Sequence, residues 1–96
     1  MSTYIVLMKL TDQGIRTVQD TPERIETSVN SLETLGGKVK GFYATLGEYD
    51  YIACIEAPNE AIVMRFLLGL GAAGEVRTTT MKALSRAEFE AVASKL

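Results

Sequence analysis

The chain has 96 residues, 47% of them apolar and 23% charged, which suits one compact domain spanning residues 1–96. Ten basic against twelve acidic residues leave a net charge of -2, which argues against a nucleic-acid binder and against a basic membrane-surface patch. No histidine and a single cysteine, Cys54, exclude Ser-His and Cys-His nucleophile pairs, histidine-ligated haem, a four-ligand Cys/His zinc site and an internal disulfide.

Thr3 to Leu10 reads as a strand, because Tyr4, Ile5, Val6, Leu7 and Met8 form an apolar run with β-branched and aromatic members. The cluster Thr11-Asp12-Gln13-Gly14 ends it, either as a turn or as polar groups at the mouth of a pocket. Residues Ile15 to Asp20 fit a loop or a short turn. A helix is expected from Thr21: Asp20 or Thr21 caps it, Pro22 suits its first turn, and Ile25, Val29 and Leu32 recur at helical spacing. Gly36-Gly37 ends it.

Lys38 to Leu46 and Tyr49 to Ala57 are read as two strands joined by a tight type II′ turn at Gly47-Glu48. Pro58-Asn59-Glu60 opens a helix carrying Ile62, Val63, Phe66, Leu67 and Leu70, which Gly69, Gly71 and Gly74 are expected to break. Glu75 to Leu84 reads as a fourth strand. Ser85-Arg86-Ala87-Glu88 is a capping-box pattern before a short helix with Phe89, Val92 and Leu96 on one face. The resulting order, β-α-β-β-α-β plus a C-terminal helix, is the split βαβ plan of ferredoxin-like α+β domains with a four-stranded antiparallel sheet.

Strand polarity predicts a homodimer. The first and third strands are apolar on both alternating sets, Tyr4, Val6, Met8 against Ile5, Leu7, and Tyr51, Ala53, Ile55 against Ile52, Cys54. The second and fourth carry Lys38, Lys40, Thr45 and Arg77, Thr78, Thr80, Lys82, as edge strands do. Strands apolar on both faces need cover on both. Two helices cover one face, so a second sheet related by a two-fold axis, or else the C-terminal helix, has to cover the other.

The chemistry candidates are few. Gly69-Leu70-Gly71-Ala72-Ala73-Gly74 spells GxGxxG, but it follows a helix and leads into a strand, the reverse of a dinucleotide fingerprint. Asp50 reads either as a general base, with Tyr49 as hydrogen-bond donor, or as a turn residue bonded to backbone. Tyr4, Tyr43, Tyr49 and Tyr51 line a pocket or a sheet–sheet interface. Arg77 with Thr78, Thr79 and Thr80 either holds an anion or makes a polar edge. Cys54, between Ala53 and Ile55, reads as an inert thiol. No carboxylates stand at metal-ligand spacing, and no segment reaches the ~18–20 apolar residues of a membrane helix. A cytoplasmic protein without metal or cofactor is expected.

Four strings, Thr11-Asp12-Gln13-Gly14-Ile15-Arg16, Gly36-Gly37-Lys38-Val39-Lys40-Gly41-Phe42-Tyr43, Thr45-Leu46-Gly47-Glu48-Tyr49-Asp50 and Val76-Arg77-Thr78-Thr79-Thr80, together resemble the GYD domain family across essentially the whole chain. The family's name corresponds here to Gly47, Tyr49 and Asp50. Glu75 departs from the asparagine that many relatives carry before Val-Arg. The resemblance implies a ferredoxin-like protomer that pairs into a dimeric α/β barrel, and it implies no particular reaction. The leading expectation is a homodimer, or an assembly of dimers, that binds a small organic ligand in a pocket between sheet and helices through Tyr43, Tyr49, Asp50 and Arg77. The alternatives are a cofactor-independent oxygenase or isomerase, with Asp50 as base and Tyr49 or Tyr43 as enolate stabiliser, and an interaction module docking through Ile62, Phe66 and Leu70.

Overall fold

A computed structural model describes all residues, Met1–Leu96. The elements are β1 (Ser2–Leu10), α1 (Asp12–Arg16), a 3-10 turn (Val18–Asp20), α2 (Thr21–Thr34), β2 (Lys38–Ala44), β3 (Tyr51–Ala57), α3 (Glu60–Ala73), β4 (Val76–Ala83) and α4 (Arg86–Ala93). The sheet is antiparallel in the order β2-β3-β1-β4, so the two strands apolar on both faces are central and the two polar ones are edges.

Register sorts the side chains. Val6 lies between Ala53 and Thr80, and Met8 between Tyr51 and Thr78, on the face under the helices. Tyr4, Val6, Met8, Ala53, Ile55 and Ala57 are buried there against Leu32, Val63 and Phe66. Ile5 lies between Cys54 and Met81, and Leu7 between Ile52 and Thr79, on the opposite face. No helix of the chain covers that face. Tyr43 stands on it opposite Ile52 and is 65% exposed; Met81 is 48% exposed. The helix α4 does not fold back over it: Phe89, Val92 and Leu96 stay exposed, and no α4 residue joins the core.

Three local expectations need correction. The β2–β3 connection is not a two-residue turn. Pairing ends at Ala44 and Tyr51, and Thr45 closes a wider loop, its N–H donating to the Asp50 carbonyl (2.9 Å) and its hydroxyl to the Tyr49 carbonyl (2.6 Å). Asp50 is committed to β1 instead, its N–H donating to the Met8 carbonyl (2.9 Å). Gly47, at φ +112°, supplies the left-handed residue of that loop, a conformation side-chain-bearing residues rarely adopt.

Gly69 and Gly71 do not break α3, which runs on to Ala73 and ends at Gly74. Flanking leucines and alanines carry the helix through the two glycines, each costing only about 1 kcal/mol relative to alanine. Thr11-Asp12-Gln13-Gly14 does not merely end β1 but starts α1, with the Thr11 hydroxyl accepting from Gly14 N–H at 3.0 Å.

That start is also a clasp. The Thr11 hydroxyl donates to the Gly74 carbonyl (2.6 Å), and Thr11 N–H donates to the Glu75 carbonyl (2.9 Å). A Cβ on Gly14 would lie 2.1 Å from that carbonyl oxygen, so only glycine fits. The clasp ties the end of α3 to the end of β1 and fixes the backbone of Glu75.

Candidate functional site

An apolar cavity of about 390 Å³ lies between the sheet and α2. Its floor includes Met8, Phe42, Tyr51 and Ala53, and its roof Ile25, Val29, Phe66 and Leu70. Small side chains stand in its lining: Ala53 in mid-sheet, Ser28 on α2 and Ala73 on α3. Phe42 and Tyr51, paired at a centroid distance of 5.2 Å, form an aromatic wall. A groove between α2 and α3 shares Phe66, Leu70 and Ala73 with the cavity.

The polar lining groups include Thr21, Arg24 and Glu75. The Tyr51 hydroxyl lies 3.4 Å from that of Thr21. Arg24 Nη2 donates to the Thr17 carbonyl (3.0 Å) and to the Thr17 hydroxyl, and lies 3.8 Å from Asp20 Oδ2. Arg24 Nε is 3.8 Å from Glu75 Oε1, beyond hydrogen-bond reach. The Glu75 side chain is 22% exposed.

None of Tyr43, Tyr49, Asp50 and Arg77 lines this cavity. Arg77 pairs in register with Lys9, and Tyr43 with Ile52, both on the uncovered face. The Tyr49 ring lies 5.2 Å from Lys9 Nζ on that same side. Asp50 Oδ2 accepts from Leu10 N–H at 2.8 Å, which extends the grip of the loop on β1. Tyr51 is the one tyrosine of the four that lines the cavity; Tyr4 is buried in the core beside it. Ile62, Phe66 and Leu70 pack on the core, so they do not form an exposed docking stripe. The sequence reading missed Arg24 and Glu75. The departure at Glu75 was the available signal, but it points to a site only once the clasp brings Glu75 to Arg24.

A four-stranded antiparallel sheet with its main helices on one face, in this strand order, defines a ferredoxin-like α+β protein. Solved structures agree. FFRP-DM1 superposes with a TM-score of 0.61 at 26% identity, over 88% of this chain and 100% of that one. A feast or famine regulatory protein of M. tuberculosis, complexed with L-methionine, gives 0.67 at 19% identity; 88% of this chain matches 51% of that longer one. The chain belongs to the GYD domain family, whose model matches residues 4–93. A Thermus thermophilus relative, named glutamine synthetase and cystathionine beta-lyase binding protein, is 41% identical over 90 residues, 93% of this chain and 95% of that one. No helix of the chain is long and apolar enough to cross a membrane.

Proposed function

We propose that this protein is a small homodimer, or an assembly of dimers, that binds a small organic ligand in the cavity between α2 and the sheet. The cavity carries the reading: about 390 Å³, walled mostly by apolar side chains and furnished with a few polar ones, is the build of a small-molecule site. The second copy occupies the uncovered sheet face. Ile5, Leu7 and Ile52 are only half-buried and Met81 is 48% exposed, so each gains part of the roughly 1.5–3 kcal/mol that full burial of such a side chain yields. Tyr43, Tyr49 and Arg77 then serve the pairing face and Asp50 the loop beside it, while Arg24, Tyr51 and Glu75 serve the ligand. The reading calls for no metal and no cofactor, and it places the protein in the reducing cytoplasm, where Cys54 stays a thiol.

Naphthylmethanol, an uncharged two-ring probe, tests the cavity. Titration calorimetry should give one site per protomer with a dissociation constant below about 1 mM. Ser28→Leu, which fills the roof from α2, should weaken binding at unchanged far-ultraviolet dichroism. Failure of the parent protein to bind this probe or its charged-head analogues, or equal binding by a folded variant, would refute the reading.

A second reading, binding to a partner enzyme, is favoured by the name of the 41% identical relative. Co-elution of the purified protein with glutamine synthetase or cystathionine beta-lyase from the same cell tests it; separate elution at micromolar concentrations would count against it.

A further inference from the structure

We infer that the cavity selects a hydrophobic amine, an aryl- or alkylammonium whose apolar body lies against Phe42, Tyr51 and Phe66 and whose cationic head meets the Glu75 carboxylate. The inference deepens the ligand-binding reading and rests on it.

The polar groups of the cavity are unequal. Arg24 is the only cation among the lining residues; its Nη2 donates to Thr17, and its guanidinium lies 3.8 Å from both Asp20 and Glu75. One guanidinium therefore stands between the carboxylates of Asp20 and Glu75, and Glu23 and Glu75 line the cavity themselves. An anionic head entering here would meet two lining carboxylates against one guanidinium that is already ion-paired. A donor head finds the opposite. Glu75 sits 3.8 Å from Arg24 without closing a hydrogen bond, so its carboxylate has acceptor capacity to offer. The clasp holds its backbone: Thr11 N–H bonds the Glu75 carbonyl, and Gly14 abuts it too closely for any other residue. A mostly buried carboxylate on a held backbone, beside an apolar chamber, favours a charge-assisted bond from an ammonium. The hydroxyls of Tyr51 and Thr21 lie in the same lining and provide further acceptor lone pairs. The volume admits a one- or two-ring body.

Three probes with one body and different heads test this: naphthylmethylamine, naphthylmethanol and naphthylacetate, titrated into the parent protein at neutral pH and low salt. The amine should bind at least ~10-fold more tightly than the carboxylate, with the alcohol between them. Glu75→Gln should erase the amine's advantage over the alcohol. Equal or tighter binding of the carboxylate would overturn the inference, as would an amine preference that survives Glu75→Gln. The order of the three probes on the parent protein decides the matter even where the variant folds poorly. Failure of all three to bind overturns the cavity reading itself. Binding in the wrong order overturns the amine selectivity alone.

Discussion

Gly14 and Asp50 show how single residues set the geometry around the cavity. Both spend their chemistry on backbone: Gly14 by lacking a side chain against the Glu75 carbonyl, Asp50 by accepting the Leu10 N–H. Gly14→Ala would force a Cβ against a backbone oxygen that no rotamer change can move aside. We expect a loss of about 2 kcal/mol or more in urea unfolding at fixed protein concentration. A change under about 0.5 kcal/mol would show that the clasp gives way freely. The sequence marked both positions as turn residues without revealing their partners. Thr11, Gly14 and Glu75 meet only in three dimensions, so no window along the chain contains the clasp. Asp50 was open to two readings because a carboxylate after a turn suits a base and a backbone acceptor equally. The structure engages one of its oxygens with Leu10 N–H.

Among the elements, α4 is the most self-contained. Its N-terminus is a full capping box: the Ser85 hydroxyl accepts from Glu88 N–H (3.1 Å), and the Glu88 carboxylate accepts from Ser85 N–H (2.8 Å). The Ser85 backbone bond, then its hydroxyl, hold the Glu88 carboxyl below the usual 4.5. A depressed carboxyl pKa stabilises the folded helix above the unfolded value, and that contribution is lost as pH falls through the folded one. Amide exchange at Ser85 should therefore be slow relative to Glu88→Ala above pH 4.5, and the difference should narrow in more acid solution. Protection of Ser85 unchanged by the substitution would contradict the cap. This box was readable from four consecutive residues because caps are local. The end of α3 was not, since glycine both tolerates and terminates helices, and only Gly74 takes a positive φ there. The β2–β3 loop was misread for a related reason: Gly47 fits a tight turn, but Asp50 bonds β1, and that distant bond fixes where β3 begins.

For the whole molecule, the two-sided apolarity of β1 and β3 carried the strand order, because central position and polarity are physically linked. A pocket between sheet and helices is expected from the sequence, but its lining is not legible there. Its lining gathers residues of β1, α2, β2, β3, α3 and β4, and no window along the chain contains such a set. The uncovered sheet face and the unpacked α4 leave a body of 49 × 31 × 17 Å, thin across the layers. Native mass spectrometry of the freshly purified protein at micromolar concentration tests the pairing of two such bodies, and the occupancy of the cavity, in one spectrum. The predicted result is an even-numbered assembly, part of it carrying an additional small-molecule mass. A monomer would contradict it, because Ile5, Leu7, Ile52 and Met81 would then have to remain in water.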